Sequence, residues 1–147
     1  HLLLVRAASS LRAMNKRSQR MSKHDTYKLE VGVETTYIDD QSDPDAGRYV
    51  FAYTITISNT GKTPAKLLKR HWLITDSNGK TQEVRGEGVV GEQPHLKPGE
   101  VFRYTSGTVI ETPVGTMEGE YEMLGDDGRA FVAPVGRFSL SIPRVLH

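Results

Sequence analysis

The stretch Val84-Arg85-Gly86-Glu87-Gly88-Val89-Val90-Gly91-Glu92-Gln93-Pro94-His95-Leu96-Lys97-Pro98-Gly99-Glu100 decides between two folds. In letters, Gly86, Gly88 and Gly91 spell the G-x-G-x-x-G of a dinucleotide-binding α/β domain. That motif works only where the glycine turn leaves a strand and enters a helix whose N-terminus meets the pyrophosphate. Here Pro94, Pro98 and Gly99 follow within eight residues of Gly91, and no helical periodicity lies between. The context excludes a Rossmann unit. What remains is a glycine-rich loop set among strands.

The flanks agree. Upstream, Leu29, Val31, Val33, Thr35 and Tyr37 alternate with polar or small residues, the period of a strand with one wet face. The acidic turn Asp39 to Gly47 leads to a second alternating run, in which Tyr49, Phe51, Tyr53, Ile55 and Ile57 share one side. The two runs and their turn predict a hairpin. Asn59-Thr60-Gly61 is a tight-turn signal. Residues 67–76 have a helical composition, but Trp72 and Ile74 alternate with Leu73 and Thr75, so we read a strand. Asp76-Ser77-Asn78-Gly79 then turns it back into residues 81–85. Downstream, residues 101–106 form a short strand after the Lys97-Pro98-Gly99 turn. Met117, Gly119, Tyr121 and Met123 alternate with three glutamates. Gly125-Asp126-Asp127-Gly128 closes a hairpin to residues 129–133, and residues 137–142 end the fold. About eight short strands with turn signals every 8–12 residues predict an all-β sandwich or barrel.

The chain has 147 residues, 37% of them apolar and 25% charged, enough for one domain with a real core. It contains no cysteine, which excludes disulfides and thiolate metal sites and points to a reducing, cytoplasmic setting. No apolar run approaches the ~20 residues of a membrane helix, so no membrane partner is expected. Residues 1–24 hold six Lys/Arg and no acid, in an Arg/Ser/Ala-rich context without periodicity. They read as a disordered basic tail, either a remnant left by expression or an upstream extension, preceding a domain at residues 25–147. A transit peptide or a basic arm is the alternative. Without the tail the chain is acidic, so it lacks the basic stripe of a nucleic-acid binder.

Several of these stretches together resemble the ApaG family, whose domain is also called DUF525. They are His71-Trp72, the run from Val84 to Pro94, Leu96-Lys97-Pro98-Gly99, Phe102, Tyr104-Thr105-Ser106-Gly107, Thr112-Pro113, Gly115, Met117, Gly119, Tyr121 and Met123. The resemblance covers residues from about 27 to 142. It implies an immunoglobulin/fibronectin type III-like antiparallel β-sandwich, here of about 7–8 strands. Related domains occur in some F-box proteins and in a polymerase-delta-interacting protein, where they look like partner-binding modules. Family members are linked by genetic context to a diadenosine tetraphosphate hydrolase and to cobalt and magnesium tolerance.

For chemistry the residues offer little. Arg85, Gly86, Gly88 and Gly91 form a hypothetical anion loop, because successive backbone N–H groups can converge on a phosphate without a helix. Glu87 and Glu92 sit inside that loop and oppose an anion. The competing reading is that the glycines serve positive φ angles or close strand approach. His71, His95, Glu87 and Glu92 are the plausible metal donors, without H-x-H or H-E-x-x-H spacing. Asp39, Asp40, Asp43 and Asp45 resemble a calcium loop only in charge. Ser106-Gly107 is not a nucleophile elbow. No cofactor, metal or catalytic residue is therefore expected. The expected function is a non-catalytic binding module for an unidentified protein partner, presenting Val89 and Val90, with homodimerisation through edge strands as a further contact. A role in cobalt or magnesium homeostasis would be indirect. The alternative is a phosphate or diadenosine-polyphosphate binder using the Gly86–Gly91 loop.

Overall fold

The computed structural model describes residues 26–143. The basic tail expected at residues 1–24 lies outside them. The fold is an all-β, antiparallel sandwich of the immunoglobulin/fibronectin type III kind. Its strands are β1 (Leu29–Tyr37), β2 (Tyr49–Asn59), β3 (Ala65–Asp76), β4 (Thr81–Glu87), β5 (His95–Leu96), β6 (Val101–Ile110), β7 (Val114–Gly125) and β8 (Ala130–Ser141). One sheet has the order β1-β2-β6. The other has the order β4-β3-β7-β8, with β5 also pairing β3. Among the described residues no helix is long and apolar enough to cross a membrane.

The period-two pattern sets which face is inward. Phe51, Tyr53, Ile55 and Ile57 of β2 are buried, as are Leu67, Trp72 and Ile74 of β3 and Met117, Tyr121 and Met123 of β7. These inner faces meet between the sheets, as they must when alternation leaves one face of each sheet apolar. Trp72 stands at the centre, with ring centroids of Tyr53, Tyr121 and Phe138 at 5.7, 5.9 and 5.9 Å. Edge-to-face aromatic pairs of this kind add roughly 0.5–1.5 kcal/mol each beyond their burial. The hydroxyls of Tyr104 and Tyr121 bond each other at 2.5 Å, which satisfies two buried polar groups with one contact.

All three hairpins read from turns form: β1 pairs β2, β3 pairs β4, and β7 pairs β8. The turn at Asn59 does something else. It carries the chain from one sheet to the other, because β2 pairs β6 rather than β3. The buried Asn59 amide donates to the carbonyls of Thr63 and Leu96 and accepts from the Gly61 N–H, so one side chain closes the crossover. Strand β6 runs to Ile110, beyond the short segment expected, because β2 offers it a partner along its whole length. The two final runs are one strand, β8, with a register shift between Met117 and Gly119 of its partner β7. Pro134 is tolerated there because β8 is a sheet edge. The acidic loop folds as two single 3₁₀ turns, Asp39–Gln41 and Pro44–Ala46.

Candidate recognition site

Strand β3 holds two partners on one edge. Lys69 faces Glu87 of β4, and Lys66 faces His95 of β5. Residues 88–93 bulge outward between them, over an irregularity in β3 between Leu67 and Lys69. The bulge is tied down by its own backbone. The Gly88 N–H and the Gln93 side-chain amide both donate to the Leu68 carbonyl, at 2.8 and 3.0 Å, and the Leu67 N–H donates to the Pro94 carbonyl at 2.9 Å. A side chain at Gly88, where φ is 62°, would overlap the Glu92 carbonyl. That close approach is why glycine stands there.

The tip is a two-residue turn. Val89 and Glu92 exchange backbone hydrogen bonds at 2.8 and 2.9 Å, with Val90 and Gly91 between them at φ 44° and 79°. Two successive positive φ values are the type I′ pattern, which suits Asn-Gly. A β-branched residue at positive φ is a genuine outlier, and such strain persists only where its surroundings enforce it. Here they do. Val89 is fully buried in the core and anchors one side of the turn, which leaves Val90 54% exposed at its apex. The expected contact pair is thus divided: Val90 faces solvent and Val89 cannot, because it is a core residue of the sandwich.

The residue that organises the site is Arg70. Its Nη1 donates to the carbonyls of Glu87 and Gly88 at 3.0 and 2.9 Å. The guanidinium lies flat against Gly86, where a Cβ would stand 2.8 Å from Cζ, Nη1 and Nη2 alike. Gly86 therefore belongs to β4 and makes room for an arginine. Arg85 points to Glu83 instead, with Nη2 to Oε1 at 2.6 Å and Nε to Oε1 at 3.0 Å. That arginine, and His71 at 2.9 Å from the same Oε1, hold the Glu83 carboxyl below its ordinary range. The amides of Gly88, Val89 and Glu92 all donate within the structure. Arg85 is thus turned toward Glu83, three of the loop's amides are engaged within the structure, and no helix follows Gly91.

The other candidates are dispersed. His71 pairs with Glu83, and His95 Nε2 lies 2.8 Å from Asp126 Oδ1. Among the described residues no group of three or more His, Asp or Glu side chains is placed to hold a metal ion. Asp127, in the turn between β7 and β8, accepts from the Tyr27 hydroxyl and the Arg129 N–H.

Beside the loop the sandwich is open. On one side β1 lies against β8. On the other, the edges β4 and β6 face each other across a cleft of about 520 Å³. Two contacts join these strands or their ends: Gln82 Nε2 to the Val109 carbonyl at 3.0 Å, and Lys80 Nζ to Glu111 at 2.9 Å. Tyr53, Arg70, Trp72 and Ser106 line its interior, and Arg70 continues into a second hollow of about 300 Å³ beneath Val90. Neither hollow has a histidine among its lining residues. Sequence reading missed Arg70 because Lys69-Arg70-His71 looks like a solvated polar run. The signal was its spacing: Arg70 lies two residues before Trp72, on the same inward face.

Comparison with known proteins agrees with this architecture. Residues 39–125 match the ApaG domain, DUF525. Protein ApaG of Aromatoleum aromaticum is 57% identical over 127 residues, covering 86% of this chain and 100% of that protein. Protein ApaG of Methylococcus capsulatus is 60% identical over 121 residues, covering 82% and 96%. Among solved structures, the putative ApaA protein from Bordetella pertussis superposes with a TM-score of 0.80 at 51% identity, over 82% of this chain and 98% of that one. The chain belongs to the ApaG family.

Proposed function

We propose that the chain is a non-catalytic recognition module that binds a protein partner through the 88–93 bulge, with Val90 as its exposed contact. The observation that carries this reading is the apex itself. A valine is held at φ 44°, exposed, on a loop that a buried Val89 and the Arg70 guanidinium keep in place. Sequences without a task for that side chain would put asparagine or glycine there. Any part in cobalt or magnesium homeostasis then runs through the partner, since His71 and His95 are engaged with separate carboxylates.

The test is capture of partners from the source cell by immobilised wild-type chain and by Val90→Asp, with folding checked by thermal melting. Loss of the enriched protein in the folded variant is the expected result. Equal recovery would remove Val90 from the contact. A pyrophosphate or diadenosine-polyphosphate titration that shifted the amides of residues 85–92 would restore the anion reading in its place.

A further inference from the structure

Strand β6 is an edge of the three-stranded sheet, and one side of its backbone is unpaired. Along an antiparallel strand, the N–H and C=O of one residue point to one side and those of the next residue to the other. The Glu100 carbonyl accepts from the Asn59 N–H at the end of β2, so even-numbered residues bond β2. The Val109 carbonyl accepts instead from the Gln82 side chain of β4. Odd-numbered residues of β6 therefore turn their backbone groups away from β2. Those of Val101, Arg103, Thr105 and Gly107 have no partner among the described residues. An open row of this kind is a template for another strand.

The other edges are blunted. β1 lies against β8, and Pro134 interrupts β8. β4 carries Glu83 and Glu87. The described residues hold 12 Lys/Arg and 17 Asp/Glu, so two copies repel over most of their surface. β6 has one arginine and no carboxylate, so here two copies approach without facing acids. It also carries two exposed valines, Val101 at 55% and Val109 at 37%. Thr105 lies midway between them in the chain.

That spacing is self-complementary. Let a second β6 lie antiparallel, with Thr105 opposite its own counterpart. Val101 then meets Val109 of the second copy at both ends, and Arg103 meets Gly107. All five positions are odd-numbered, so every facing pair can exchange main-chain bonds. Gly107 has no side chain and is backed by Ala52 of β2, which leaves room for the stem of the facing arginine. The two arginines stand roughly 13 Å apart along the strands, beyond the ~8 Å screening length. A register centred on Arg103 would set them face to face.

We propose that two copies of the chain pair through β6 about a two-fold axis at Thr105, joining their three-stranded sheets into one of order β1-β2-β6-β6-β2-β1. The contact is isologous, and Gln82 yields the Val109 carbonyl to the second copy. It is independent of the Val90 contact. Two strand edges make a small interface, so the dimer is weak, with a Kd on the order of 100 µM.

Sedimentation equilibrium of the full chain between about 10 µM and about 1 mM is expected to show monomer passing to dimer. Over that range amide exchange should slow at Arg103, Thr105 and Gly107, and stay constant at Phe102, Tyr104 and Ser106, which bond β2. Thr105→Cys introduces a thiol into a chain without cysteine. On the axis its Cα stands about 5.5 Å from its counterpart, within disulfide reach. Arg103→Cys stands about 14 Å from its own counterpart. Oxidised glutathione should therefore cross-link the first variant into a covalent dimer and leave the second uncrossed. Thr105→Pro removes the central donor at a site where the single copy uses none, and should stay monomeric. If that variant does not fold, Val101→Lys serves, with dimerisation about tenfold weaker because symmetry removes both valine pairs. A chain monomeric at the highest concentration, equal cross-linking of the two cysteine variants, or a dimer undiminished by these substitutions would overturn the proposal.

Discussion

Replacing Val90 by asparagine should stabilise the protein. At φ 44° a β-branched residue carries the left-handed penalty, about 1–2 kcal/mol for an L-residue with a Cβ. Asparagine visits that region readily, and Val90→Asn places the preferred Asn-Gly pair at the I′ turn, because Gly91 already follows. The opposing term is small, because Val90 is already 54% exposed and loses about 0.5 kcal/mol of apolar contact. The net gain is about 1 kcal/mol, or a rise in melting temperature of about 3–5 °C for a domain of this size. Urea denaturation measures it as a higher midpoint at unchanged slope. The same variant should bind the partner less well, since strain retained at a contact is stability exchanged for function. An unchanged or lowered midpoint would refute the claim that the apex is strained. A raised midpoint with undiminished partner capture would refute the claim that the strain serves binding.

Asn59→Ala should lose about 3 kcal/mol in urea denaturation, because it strips partners from the Thr63 and Leu96 carbonyls and from the Gly61 N–H in a buried crossover. Gly86→Ala should dislodge the Arg70 guanidinium and free the bulge, read as faster hydrogen exchange at Gly88 with the core amides unchanged. Stability should fall with alkali: burial lifts the Tyr104 phenol from an ordinary 10 to about 12 and lifts Tyr121 in the same direction. The unfolded chain then loses these protons first. The contribution is intact below pH 10 and is lost as pH rises through about 12, roughly 2–3 kcal/mol for Tyr104. A flat profile between pH 10 and 12 would contradict the buried pair.

What the sequence alone determined was the alternation. Tyr49 to Ile57 and Met117 to Met123 each put one face inward wherever they were placed, because side chains in an extended chain alternate with period two. The same local reading excluded a Rossmann turn, since Pro94 and Pro98 forbid the helix it needs. Pairing was another matter. That Asn59 crosses between sheets, that β5 exists at all, and that β8 is one strand past Pro134 depend on partners distant in the chain, which periodicity does not encode. The site shows the same division. The glycines were visible, but Arg70 against Gly86 and Val89 in the core arise only when β3, β4 and the loop that follows are brought together. Backbone pattern is a property of neighbours along the chain. A binding surface is a property of neighbours in space.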